Sequence, residues 1–262
     1  MDLGLGGRTA LVMAGSRGFG RAVAAGMAAE GVKLGFCARG ADDLAVAEAA
    51  IRDAGGEVLA RPLDVSDGPA VTGFVSEVER ELGPIDLLLL NAGGPPAGTL
   101  QDIDLPTWES AYRLNLESMV RMLRLVLPGM RRRRWGRVVQ ITSITVRQPV
   151  ENLLLSNVMR PAAHALIHDL ALQCAADGVT LNSVAPGFHH TSAVDRLIAR
   201  KIEQGAASRE SVLREWESEI PAGRLGKADE LAALVLFLMS ERAGYITGQN
   251  IVSDGGWTRG TF

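Results

Sequence analysis

The stretch "LVMAGSRGFGRAV", residues 11–23, passes from a short apolar run through a glycine-rich turn into the apolar spacing of a helix. Small residues in such a turn let the backbone approach a pyrophosphate, and the exposed amides and dipole of the helix amino terminus stabilise its charge. A glycine turn alone is weak evidence. It gains weight from Asp64, after a third apolar run, and from "NAGG" at 91–94, after a fourth. Outward from this turn, "TALVMA", "KLGFCA", "EVLARPLDV", "DLLLLNAG", "RVVQITS", "TLNSVAPG" and "QNIVSDGG" are brief, rich in Val, Ile or Leu, and closed by Gly, Pro, Asn or Asp. They read as strands. Helical patterns such as "RAVAAGMAAEG", "DLAVAEAAIRDAGG" and "PAVTGFVSEVERELG" lie between them and stop at glycine. Regular βαβ alternation requires parallel strands joined by crossovers. The expected fold is therefore α/β, a doubly wound Rossmann arrangement with a seven-stranded parallel sheet flanked by helices.

The chain has 262 residues, 47% of them apolar and 22% charged, enough for one large core, and a single domain over 1–262 is expected. A net charge of −3 carries no electrostatic footprint for nucleic acid or an anionic membrane, so the expected partner is a small molecule. The one basic run, Arg131 to Arg134, ends a helical pattern, where cations suit the carboxyl end of a helix dipole. Cys37 and Cys174 lack metal-ligand spacing and read as core residues; no metal site is expected. No window approaches the ~18 apolar residues of a membrane span, and a cytoplasmic location is the default expectation.

One segment breaks the alternation. Residues 188–222 precede the next core pattern, "ADELAALVLFLMS", and place Val194, Leu197, Ile198 and Ile202, then Val212, Leu213, Trp216 and Ile220, at helical spacing around Gly205. At the carboxyl end of a sheet strand such a helix pair is either a substrate lid or a peripheral pair through which copies meet.

Nearly the whole chain resembles the short-chain dehydrogenase/reductases of the single-domain kind, and is similar to the 3-oxoacyl-carrier-protein reductases. The family's first turn, Thr-Gly followed by three residues and Gly-x-Gly, falls on Met13, Ala14, Gly15, Ser16, Arg17, Gly18, Phe19 and Gly20, with Ala14 in place of the first glycine. Asp64 and Val65 match the pair beside the adenine, and Leu90, Asn91, Ala92 and Gly93 match Asn-Asn-Ala-Gly with the first Asn lost. "PGFHHT" implies that Pro186, Gly187 and Thr191 border the nicotinamide and its phosphates. At the end of the second strand stands Arg39 and no carboxylate, and Arg17 lies in the phosphate turn. A guanidinium suits a 2′-phosphate, so NADP(H) is favoured and NAD(H) is the alternative.

In this family an Asn, a Ser, a Tyr and a Lys form the active site: the Tyr protonates the substrate oxygen, and the Lys lowers its pKa and binds the nicotinamide ribose. Asn115 and Ser143 match their positions, but the Tyr position is Ser156 and the Lys position is Arg160. A serine hydroxyl is a far weaker acid than a phenol, and Arg stays protonated, so an ordinary ketone reductase mechanism is placed in doubt while ribose binding by Arg160 survives. His189 and His190 are candidate replacements for the acid, since an imidazole titrates near pH ~6.5. Glu151, Asn152 and Asn157 are polar groups near the missing tyrosine and candidate substrate contacts, with turn or capping roles as the alternative. Tyr112, one turn before Asn115, is expected to pack rather than react. The expected activity is an oxidoreductase acting on a small carbonyl, enone or imine. A non-redox isomerase, dehydratase or cyclase, or a silent dinucleotide-binding protein, is the alternative. The resemblance also implies a homotetramer or homodimer built on the long helices before strands five and six.

Overall fold

In the computed structural model, residues 2–203 and 205–260 are described. Seven parallel strands lie in the order β3-β2-β1-β4-β5-β6-β7. They are β1 (Thr9–Val12), β2 (Lys33–Ala38), β3 (Val58–Pro62), β4 (Ile85–Leu90), β5 (Gly136–Ile141), β6 (Val179–Pro186) and β7 (Asn250–Ser253). The sheet has two apolar faces because alternate strand residues point to opposite sides. Val12, Leu87 and Leu89 face one core with Val23, Met27 and Val235. Leu11, Leu88 and Leu90 face the other with Phe74, Val126 and Ile167. Burial on both faces is why the strands read as continuous apolar runs rather than alternating ones.

The first core is covered by α1 (Gly18–Ala29), α2 (Ala41–Asp53) and α9 (Ala228–Met239), the second by α3 (Gly68–Glu81), α5 (Ser118–Arg133) and α6 (Leu154–Cys174). The short α4 (Leu105–Tyr112) runs through a π-helical turn, Arg113–Glu117, into α5. Helix starts follow local chemistry: Asp67 accepts from the Ala70 amide at 3.1 Å, and Asp104 accepts from the Thr107 amide at 3.0 Å, each with a proline in the first turn. The Arg131–Arg134 run ends α5, where Arg131 meets Asp177 at 2.6 Å and Arg133 meets Asp86 at 3.5 Å. It is a paired helix end.

The inserted segment forms α7 (Ser192–Glu203) and α8 (Arg209–Glu219) on either side of Gly205. These helices hold a separate apolar cluster of Val194, Ile198, Val212, Trp216, Ile220 and Leu225, packed against Phe188 and Trp257. Ile202 departs from the expected apolar face and is 40% exposed, and Tyr112 likewise does not pack but is 45% exposed at the end of α4. Among the described residues no helix is long and apolar enough to cross a membrane, and no cluster of His, Cys, Asp and Glu is placed to hold a metal ion.

Strand order reverses between β1 and β4, so their carboxyl ends diverge and leave a crevice there.

Candidate active site

The crevice is a cleft of about 530 Å³. Its floor is the turn between β1 and α1, pinned by hydrogen bonds from Gly15 N to Cys37 O at 2.9 Å and from Asn91 Nδ2 to Ala14 O at 3.2 Å. A side chain at Gly20 would run into Ala14 O and the Asn91 amide, so only glycine lets α1 start this close to the strand. Gly18 and Ala14 have φ of 52° and 51°; the first is free for glycine, whereas Ala14 adopts the left-handed region at a cost. Ser16, Arg17, Gly18 and Phe19 line one side, and Val65, Asn91, Ala92 and Gly93 the other. Gly93 is open to close approach, with nothing within 4 Å of where a Cβ would stand. Thr191, at the start of the inserted segment, completes the rim. These features fit a dinucleotide: bare amides at a helix start and a glycine-lined wall. Pro186 and Gly187 do not line this cleft: Gly187 N bonds Ser253 O at 2.9 Å, and a side chain at Gly187 would meet Asp254.

Beyond the carboxyl ends of β2 and β3, Arg39 Nη1 lies 3.7 Å from Asp64 Oδ2, and Arg17 pairs with Asp43. Burial raises the Asp64 pKa, but hydrogen bonds from the Ser66 amide and hydroxyl, helped by Arg39, outweigh it and hold the carboxyl below its ordinary range. Asp64 opens onto a neighbouring depression that shares Arg39 with the main cleft. Asp43 is a cleft residue that sequence reading missed, because a carboxylate in the first turn of a helix is explained by the dipole alone.

Five polar side chains gather at the carboxyl ends of β4 and β5. Ser143, two residues beyond β5, caps a 3₁₀ turn, Ile144–Val146, by accepting from the Thr145 amide at 3.2 Å. Thr145 Oγ1 lies 3.1 Å from Ser156 Oγ in the first turn of α6. One helical turn further, Arg160 is 5% exposed. Its Nη1 donates to Ile141 O at 3.3 Å and its Nη2 to Ala92 O at 3.4 Å, while Nε has no partner. No carboxylate of the described residues pairs with it, and burial alone lowers its pKa to about 10, so it remains a cation at neutral pH. Asn115 sits fully buried in the π-helical turn, its Nδ2 donating to Ala111 O at 3.0 Å and its Oδ1 without a partner. Thr145 was not legible beforehand: only the 3₁₀ turn aims it at Ser156.

The histidines do not join this group. His189 is 3% exposed, with Nδ1 3.2 Å from Gly187 O, Nε2 3.4 Å from Ser253 Oγ, and its ring edge-on to Phe19 at 5.1 Å. Burial pushes its pKa down, so the imidazole is neutral and structural. His190 faces a shallow depression beside Arg21 and Ala25 on the outside of α1. Both are corrections to the expectation of a replacement acid: the chain leaves β6 toward α9 and α1, not toward α6.

Asn157 is a second correction. Its amide donates to Val150 O at 2.9 Å and accepts from Val150 N at 3.0 Å, which spends both ends on shaping the loop. Glu151 and Asn152 line a second cleft, of about 310 Å³. Phe188 stacks on Trp216 there, with centroids 4.3 Å apart and planes at 5°, and Trp257 leans on Phe188 at 4.9 Å. Arg200 and Lys201 of α7 and Glu215 and Glu219 of α8 complete the wall. The two clefts flank the polar group, since Arg160 bonds Ala92 of the first and the loop from Ser143 to Ser156 walls the second.

A family model described as enoyl-(acyl carrier protein) reductase matches residues 13–258. The acetoacetyl-CoA reductase of Shinella zoogloeoides is 34% identical over 249 residues, which cover 95% of this chain and 98% of that protein. The structure of L-sorbose reductase from Gluconobacter frateurii, complexed with NADPH and L-sorbose, superposes with a TM-score of 0.94 at 29% identity, covering 99% of this chain and 100% of that one. A variant of actinorhodin polyketide ketoreductase with NADPH gives a TM-score of 0.93 at 28% identity, covering 97% and 98%.

Proposed function

Because the chain belongs to the short-chain dehydrogenase/reductase family, we propose that it is an NADP(H)-dependent reductase whose site keeps a buried cation and has given up the family's proton-donating side chain. It is a nicotinamide-dependent oxidoreductase of that family. NADP(H) is supported by Arg17 and Arg39 in the cleft and by relatives complexed with or dependent on NADPH. The ion pairs that both arginines make with Asp43 and Asp64 are largely exposed, worth little, and readily exchanged for a 2′-phosphate.

The observation that carries the reading is Arg160, a buried guanidinium without a counter-ion beside two hydroxyls too weakly acidic to protonate a ketone. A missing general acid costs a ketone reductase about 10²–10⁴ in rate. A fixed positive charge instead stabilises negative charge that forms on oxygen and stays there, and it opposes the approach of an iminium. Conjugate reduction of an enone meets both conditions. Bound NADPH supplies the hydride, which goes to the β-carbon while the displaced electron pair becomes an enolate. Ser143 donates to that oxygen, with Asn115 behind it, Arg160 supplies the field and holds the ribose, and water protonates the α-carbon. Helices α7 and α8 act as the lid over this centre, and Glu151 and Asn152 border the substrate. The enzyme works as a homodimer or homotetramer, and two free, buried cysteines suit a reducing cytoplasm.

The test pairs each conjugated enone with its saturated ketone in the presence of NADPH or NADH. The expected result is NADPH-dependent formation of the saturated ketone, with cofactor deuterium at the β-carbon and solvent deuterium at the α-carbon. Reduction of ketones or imines at the same rate would sink the enone assignment. NADPH binding without turnover over a broad panel would favour the silent dinucleotide-binding reading, and no binding of either cofactor the non-redox one.

A further inference from the structure

Helix α7 is a wall common to both clefts. Ser192, Ala193 and Arg196 line the dinucleotide cleft, and Leu197, Arg200 and Lys201 line the second. Two of the helix's three cations are satisfied within the chain: Arg200 Nη1 donates to Ala97 O, and Lys201 pairs with Glu215 at 2.5 Å. The third, Arg196, is exposed on the dinucleotide cleft and has neither an ion pair nor a hydrogen bond among the described residues. Its neighbour Asp195 is held by Arg209 of α8 at 2.7 Å. The balance of charge in that cleft favours an anion. Among the described residues lining it, Asp43 is the one carboxylate, against Arg17, Arg39 and Arg196. Asp43 pairs with Arg17, and Asp64 of the neighbouring depression with Arg39, so the charge left over is on α7. The helix also begins over the glycine turn: a Cβ at Gly18 would stand 3.7 Å from the side chain of Thr191, one residue before α7.

We infer that Arg196 binds the pyrophosphate of the dinucleotide from the α7 side, and that through this contact cofactor occupancy fixes the α7 wall of the second cleft. The 2′-phosphate is already matched by Arg17 and Arg39. The amides at the start of α1 reach the pyrophosphate from the sheet side, and a guanidinium adds the full charge and paired donors that neutral amides lack. A cation held on a bound anion restrains its helix, and Leu197, Arg200 and Lys201 are restrained with it. A ligand that contacts one arrangement of α7 shifts the helix toward that arrangement. The inference rests on the NADP(H)-dependent reading of the first cleft and links the helix pair to it.

The purified full-length protein is titrated calorimetrically with NADPH and with NADH, and amide hydrogen exchange is followed with and without saturating NADPH. Arg196→Gln should weaken both cofactors by the same factor, about tenfold for the loss of one charge-assisted contact, and Arg196→Lys should keep part of the affinity. In the unmodified protein NADPH should slow exchange within residues 192–203. In Arg196→Gln, saturated at higher NADPH, that slowing should be lost while the slowing within residues 13–20 persists. Weakening confined to NADPH would move Arg196 to the 2′-phosphate and overturn the pyrophosphate contact. Faster exchange within 192–203 of the cofactor-free variant would overturn the inference by making the arginine a structural part of α7. No binding of either cofactor by the unmodified protein would sink the nicotinamide reading and this inference together, whereas binding that Arg196→Gln leaves unchanged would sink this inference alone.

Discussion

Ala14 occupies a backbone position that suits glycine, at φ 51°, and its carbonyl anchors Asn91 across the crevice. The left-handed conformation costs a non-glycine residue about 1–2 kcal/mol, and glycine gives back part of that through its freer unfolded chain. Ala14→Gly should therefore raise the thermal midpoint by about 1–2 °C, read by calorimetry. A drop would mean that the methyl group makes a contact worth more than the strain. His189 governs a different observable. Burial holds its pKa below the ordinary 6.5, so as the pH falls through that value the unfolded chain takes up a proton that the folded chain refuses. Stability present above pH 6.5 is lost on acidification, and His189→Gln should flatten the fall of the thermal midpoint between about pH 7.5 and 5.5. An equally steep fall in the variant would assign it to other groups, His164 first, whose pKa is also lowered by burial. At this scale the sequence told which residues carry chemistry but not where imidazoles point: His189 and His190 lie beside the family's nicotinamide motif, and only packing against Phe19 and Gly226 removes His189 from the site.

Among the elements, α7 and α8 depend on a small core of their own rather than on the sheet. Trp216 is its largest member, 5% exposed and stacked on Phe188. Truncating a buried Trp costs about 3–5 kcal/mol, and here the loss should stay local. Trp216→Ala is expected to speed limited proteolysis within residues 192–220 while far-ultraviolet circular dichroism and the main unfolding transition persist. Cooperative loss of the whole fold would show instead that the pair is part of the main core. The helix pair was legible from apolar spacing and Gly205, whereas the aromatic wall was not. Phe188, Trp216 and Trp257 are separated by most of the inserted segment and by β7, and nothing local links them. The π-helical turn that buries Asn115 was equally hidden, because its sequence differs little from that of a regular helix.

For the molecule as a whole, the helix before β6 presents apolar residues outward: Val158 is 44% and Leu172 70% exposed on α6. Such residues suit a surface covered by a second copy. Light scattering is expected to give two or four times the 27.8 kDa of the chain, and Leu172→Glu to lower that mass. A monomer in the unmodified protein would leave these residues as ordinary surface.

The sequence by itself determined the strand count, the parallel sheet and the position of the dinucleotide turn, since each rests on local periodicity or on φ angles open to glycine. It also named Ser143, Ser156, Arg160 and Asn115. Only the tertiary structure decided that Arg160 is buried between two carbonyls without a counter-ion and that Thr145 meets Ser156. Burial and charge balance are properties of what surrounds a residue. Neighbours remote in sequence create them, so no window along the chain records them.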